Sequence, residues 1–185
     1  MSAWYRAALL ALTVCLLLWA PAVRAADVVC HASADYFVIE RETGALGRDF
    51  LIKPRHVVHA IPACFYAAAP ADFEIRNEAA EYFLALQGHY LILDSGTAPE
   101  PRGLIVWDLR QRRKIFAGTY ASPYAIKPGH IEYWLESGAA TDRNCPARQQ
   151  WATLGLGAAV ETQVRLRLAD AQILRSRRTR CSQRQ

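Results

Sequence analysis

Asp94 is the first group in the chain whose setting suggests chemistry. In Leu91-Ile92-Leu93-Asp94-Ser95-Gly96-Thr97 an apolar run delivers a carboxylate into a tight turn, where the next hydroxyl and amides can hydrogen-bond it. Two such carboxylates facing one another share a proton, so one can activate water while the other polarises a carbonyl. This run occurs once. The sequence continues Ala98-Pro99-Glu100-Pro101-Arg102, and Asp, Ser and Gly together are ordinary turn formers at a strand end. A structural turn is the preferred reading, with Asp94 as the alternative catalytic residue.

Other catalytic patterns are not supported by the sequence. There is no Gly-x-Ser-x-Gly elbow and no phosphate-binding glycine loop, which nucleophilic hydrolases and nucleotide-binding folds use. His31, His56, His59, His89 and His130 are scattered; His56 and His59, three apart in a β-like stretch, would fall on opposite faces. Neither a CxxC pair nor an HxxxH pair is present, so no zinc site is expected, and no cofactor is implied.

Recognition chemistry is better represented. Arg110, Arg112, Arg113 and Lys114 form a basic turn, Arg102 closes the loop Thr97–Gly103, and Arg175, Arg177, Arg178 and Arg180 crowd the C-terminal end. Residues 161–185 hold seven Arg against Glu161 and Asp170, so 7 − 2 = +5. With residues 1–25 removed, the net charge is 20 − 17 = +3, which leaves 3 − 5 = −2 for residues 26–160. The basic character therefore belongs to the C-terminal segment, where it can keep the domain solvated or steer an acidic protein or an envelope polyanion. Trp134, placed on one strand face with Glu132 and Glu136, is a further contact candidate.

The compartment is read from the N-terminus. Arg6, the apolar run Ala7–Ala20 and Pro21-Ala22-Val23-Arg24-Ala25 have the charge, length and small-residue cleavage site of a secretory signal. Residues 1–25 are expected to be removed, leaving one exported domain, 26–185, in the periplasm or outside the cell. No later run approaches the ~20 apolar residues of a membrane span, so that product is expected to be soluble. Nucleic acid is a poor candidate partner for an exported chain. Cys30, Cys64, Cys145 and Cys181 then read as two disulfides. Four cysteines allow three pairings; Cys30–Cys64 and Cys145–Cys181 are favoured because each closes a loop within one end of the chain.

The elements positioning these groups are mostly strands. YFVIERE (Tyr36–Glu42), DFLIKPRHVVHAI (Asp49–Ile61, broken by Pro54) and FEIRN (Phe73–Asn77) precede YFLALQ-GHYLILD, read as a hairpin about Gln87-Gly88 rather than a helix. His89–Tyr120 has the run-and-turn rhythm of a meander. In His130–Glu136, Ile131, Tyr133 and Leu135 alternate inward, and in Val164–Leu168, Val164, Leu166 and Leu168 do so with Arg165 and Arg167 outward. WATLGLGAAVE fits a short helix or a glycine-broken connection. The expectation is a mostly-β domain: an antiparallel meander, sandwich or propeller-like sheet, stabilised by two disulfides, with a basic C-terminal hairpin and tail.

Two local resemblances accompany this reading. Leu91–Thr97 resembles the active-site turn of aspartic proteases, which implies peptide cleavage at Asp94 with a partner Asp from a second subunit. Gly88-His89 ahead of one strand and Trp107-Asp108 closing another resemble a blade of the WD class of β-propellers, which implies a blade-like antiparallel sheet. Such blades run about 40–45 residues and a ring needs several, while the Trp-Asp pair occurs once. The resemblance thus covers one blade.

Three functions follow as expectations. The first is a non-catalytic envelope binding protein, such as an inhibitor or immunity-type protein against a cell-wall hydrolase or toxin. The others are an aspartic-type protease using Asp94 and a structural envelope component that binds polyanions.

Overall fold

The computed structural model describes residues 27–55 and 63–185. His56, His59, the end of the expected Asp49–Ile61 strand and the expected signal segment lie outside the described residues. The protein is mostly β, in two open antiparallel sheets. The first sheet holds β1 (Val28–Ala32), β2 (Tyr36–Glu42), β3 (Arg48–Pro54) and β4 (Phe73–Ile75), in chain order. The second is a seven-stranded meander, also in chain order. It runs through β5 (Glu81–Gln87), β6 (Tyr90–Ser95), β7 (Arg102–Asp108), β8 (Arg113–Lys127), β9 (His130–Ala139), β10 (Gly157–Arg167) and β11 (Gln172–Arg184). A six-residue helix, α1 (Arg148–Thr153), lies in the β9–β10 connection.

Sequence patterning explains the layering. Tyr36-Phe37-Val38-Ile39 of β2, Leu91-Ile92-Leu93 of β6 and Leu104-Ile105-Val106 of β7 are buried without alternation, as strands covered on both faces must be. Val38, Phe50 and Ile52 of the first sheet meet Leu91, Leu93 and Ile105 of the second in one core. The opposite face of the meander supplies Ile92, Leu104 and Val106, which pack with Tyr133, Val164 and Leu166 from β9 and β10. The meander therefore folds over itself, while the first sheet stacks on its outer side. The arrangement is sandwich-like rather than radial. β9 and β10 are covered on one face and show the alternation expected of Ile131, Tyr133, Val164 and Leu166.

The fold-over centres on β8. Its first part pairs with β7 as far as Tyr120, and the rest pairs with β9 from Ala121. Between Ala121 and Ala125 it spends Ser122, Pro123 and Tyr124 against Tyr133 alone on β9. Pro123 has no N–H for the ladder, and the bulge bends the strand.

Several turns carry the predicted chemistry. Gln87-Gly88 joins β5 to β6 with Gly88 at φ +56°, a region where glycine carries little steric cost. The pair Gly-His recurs at Gly129-His130, where β8 turns into β9. A carbonyl of each turn accepts an N–H from a later hairpin turn: Leu109 N–H donates to His89 O at 2.9 Å, and Leu168 N–H to Gly129 O at 3.0 Å. Asp108, nearly buried, accepts the N–H groups of Arg110 and Gln111 at 2.9 and 3.1 Å. The Gly-His and Trp-Asp pairs thus serve adjacent hairpin turns.

Both favoured disulfides are present, Cys30–Cys64 and Cys145–Cys181. The first ties β1 to the segment whose Tyr66 covers Phe37, Ile39 and Leu51. The second ties the helical excursion to β11. WATLGLGAAVE divides into the end of α1 and the start of β10, and the final hairpin runs from Gly157, longer than the apolar alternation from Val164 suggested.

Candidate functional site

β11 is an edge strand with β10 as its neighbour, and its two ends have opposite environments. Residues 172–179 are exposed, whereas Arg180, Cys181, Ser182 and Arg184 are half-buried. At the inner end the carboxylate of Glu161 is fully buried between two guanidiniums. Arg180 Nε donates to Oε2 at 2.6 Å and Arg184 Nη2 to Oε1 at 2.5 Å. Burial alone would push the Glu161 carboxyl up, but hydrogen bonds from Arg184, Arg180 and Ser182 outweigh it and hold it below its ordinary value. Arg180 also lies 4.4 Å over the Trp134 ring and donates to the carbonyl of Ser122 in the β8 bulge. One arginine thereby connects β8, β9, β10 and β11.

The outer end is built differently. The β10–β11 register passes from Thr162↔Thr179 to Val164↔Arg175, so Gln163 on β10 faces Ser176, Arg177 and Arg178 on β11. This bulge lifts β11 from its neighbour and re-aims its side chains. Ser176 Oγ accepts the Arg178 N–H at 3.0 Å and closes the bulge locally. Beneath it lies a groove of about 360 Å³ lined by Arg165, Leu174, Arg175, Ser176 and Arg178, with Glu132 on the far wall. Glu132 is already engaged: Lys127 Nζ donates to it at 2.8 Å and Arg165 Nη2 at 2.9 Å. Those bonds pull its carboxyl down to about 2. Among the described residues, Arg175, Arg177 and Arg178 have no carboxylate within ion-pair distance. Leu174, 46% exposed, and Ile173 stand beside them.

The other predicted candidates are spread over the molecule. Asp94 is gripped by Arg102, whose Nε lies 2.8 and 2.9 Å from the two carboxylate oxygens, and it accepts the Tyr120 hydroxyl at 2.8 Å. Burial, and then the hydrogen bond to Asp94, raise the Tyr120 hydroxyl well above its ordinary range. Arg102 also donates to Ala98 O at 3.0 Å, so the cluster braces the Asp-Ser-Gly turn. Arg110 pairs with Asp35 at 3.1 Å across the two sheets. Arg112 donates to Ala71 O at 3.0 Å and lies 5.0 Å over the Phe73 ring. Arg113 is exposed and bonds Gln111 at 2.6 Å. Trp134 is half-buried beneath Arg180. The structure thus joins Arg175 and Arg178 in one groove with Arg177 beside it, and places Arg102, the Arg110–Arg113 turn and Trp134 elsewhere.

Sequence reasoning missed Glu161, Ser176, Leu174 and the roles of Arg165 and Glu132. Glu161 had a detectable signal: extending the final hairpin one residue past Thr162↔Thr179 sets it opposite Arg180. The groove had none, because a bulge leaves no mark on an arginine-rich, exposed strand. Among the described residues, no group of three or more His, Cys, Asp or Glu side chains is placed to hold a metal ion, and no helix is long and apolar enough to cross a membrane. Comparison of the chain with known protein families, with curated proteins and with solved structures finds no match in any of the three.

Proposed function

We propose that the protein is an exported, non-catalytic binding module of the cell envelope that inhibits or neutralises an acidic protein, such as a cell-wall hydrolase or toxin. The reading rests on one observation: Arg175, Arg177 and Arg178 are exposed without acid partners at a bulge on an edge strand, while arginines around them are ion-paired. Unpaired guanidiniums retain their capacity for forked bonding to carboxylates. The two disulfides fit an oxidising compartment, and the bulge with its charges discourages indiscriminate edge-to-edge pairing. Asp94 is engaged by Arg102 and Tyr120, which favours the bracing role over the proteolytic one.

The test is capture from envelope fractions with oxidised mature protein and with the Arg175→Glu, Arg177→Glu, Arg178→Glu variant. A stoichiometric protein retained by the first, lost by the second, and rebinding as a purified component supports the proposal. Equal retention by both baits would remove β11 from it. A cleavage assay at acid pH on wild type and Asp94→Asn addresses the protease alternative; peptide hydrolysis lost with a folded Asp94→Asn variant would replace the binding reading.

A further inference from the structure

We infer that the groove under the β11 bulge is a socket for an extended acidic protein segment carrying a carboxylate next to an apolar side chain. The inference rests on the binding reading above and specifies its ligand chemistry.

Charge complementarity sets the first requirement. Three arginines line the groove, Arg165, Arg175 and Arg178, and its carboxylate, Glu132, is satisfied by Lys127 and Arg165. Arg175 and Arg178 are left with unmatched donors, so the incoming group is an anion. The walls set the second. Leu174 lines the groove and is 46% exposed; its burial would favour a ligand with an apolar side chain. A polyphosphate or sulfated glycan matches the arginines but has nothing to set against Leu174. A peptide with alternating acidic and apolar residues matches both.

Position sets the third requirement. The bulge takes Ser176–Arg178 off the ladder with β10, and Ser176 and Arg178 line the groove at this point. Arg177 belongs to the same basic run but does not line the groove. A socket therefore distinguishes Arg178 from Arg177, whereas diffuse electrostatic attraction does not. Generic steering depends on summed charge; a seated carboxylate depends on particular donors.

The experiment uses the oxidised mature protein and a fluorescein-labelled peptide of alternating Leu and Glu, read by anisotropy. An alternating Leu and Gln peptide and a polyphosphate chain serve as comparisons. The expected result is binding of the Leu/Glu peptide, with the Leu/Gln peptide and Arg178→Gln each weaker by about tenfold, as for loss of a charge-assisted bond. Leu174→Ser weakens binding several-fold, and Arg177→Gln changes it by no more than about twofold. Absence of Leu/Glu binding, equal effects of Arg177→Gln and Arg178→Gln, or polyphosphate binding as tight as the peptide's with Leu174→Ser silent would each overturn the socket. If the captured envelope protein is still lost on charge reversal, the binding face stands while the socket falls.

Discussion

The two ends of β11 carry the same residue type in opposite states. Arg180 and Arg184 neutralise a carboxylate with no solvent exposure, while Arg175, Arg177 and Arg178 face solvent without a counter-charge. The difference arises from register. Where the β10–β11 ladder is intact, Arg180 falls opposite Glu161; where it bulges, no acid lies across the strand. Arginine in this sheet is thus structural where it falls opposite an acid, as Arg180 does, and available for recognition where it falls in the bulge, as Arg177 and Arg178 do, or opposite an apolar residue, as Arg175 does opposite Val164. The comparison predicts that substitutions at the inner end reduce stability, and that those at the outer end spare stability and alter binding.

The largest stability loss is expected for Glu161→Ala, which leaves two guanidiniums facing a buried void: about 3–5 kcal/mol, as for a broken buried pair, read from urea unfolding. Paired Cys145→Ser and Cys181→Ser substitutions, which open the link between the helical excursion and β11, should cost about 2–5 kcal/mol and loosen the inner end most. Hydrogen exchange resolved along β11 would check this, with Arg180–Arg184 losing more protection than Gln172–Arg175. Asp94→Asn should cost about 1.5–3 kcal/mol, the scale of a hydrogen bond to a charged group, because Arg102 keeps its place with a neutral partner. The smallest effect is expected for Arg175→Gln, Arg177→Gln and Arg178→Gln, each within about 0.5 kcal/mol of wild type.

Acid should weaken the inner end. The Glu161 carboxyl is lower in the folded protein than its ordinary value of 4.5. The stability it contributes is therefore fully present above that value and is lost as pH falls through the depressed folded one. Glu132, pulled down to about 2, follows the same direction. Unfolding midpoints measured downward from pH 6 should decline below about pH 4.5, and Glu161→Gln should flatten the upper part of that decline. An unchanged decline in Glu161→Gln would show that other carboxylates govern acid stability.

Much of the fold was legible in the sequence because its strands follow simple rules of burial. Strands covered on both faces appear as unbroken apolar runs, Tyr36–Ile39 and Leu91–Leu93, and those covered on one face alternate, as at Ile131 and Tyr133. The cysteine pairing followed from short loop closure within each end of the chain. Less of the site was legible. Arg180 and Arg178 are two residues apart in one basic run, and nothing in their local sequence separates the locked residue from the free one. What separates them is a strand-to-strand offset set by a bulge, which depends on the partner strand. The acidic turn at Asp94 had the opposite character: its chemistry was conspicuous in sequence, yet its carboxylate is taken up by Arg102 and Tyr120, which arrive from β7 and β8.

The most direct measurement compares Arg178→Gln with Arg180→Gln, each assayed for urea unfolding and for retention of the protein captured from envelope fractions in the test proposed above. The division of β11 predicts that Arg180→Gln lowers stability by several kcal/mol, the cost of unbalancing a buried ion pair. It also predicts that Arg178→Gln leaves stability unchanged and reduces retention by about tenfold, as one charge-assisted bond would. Loss of stability in Arg178→Gln, or retention equal to wild type in a folded Arg178→Gln protein, would contradict it.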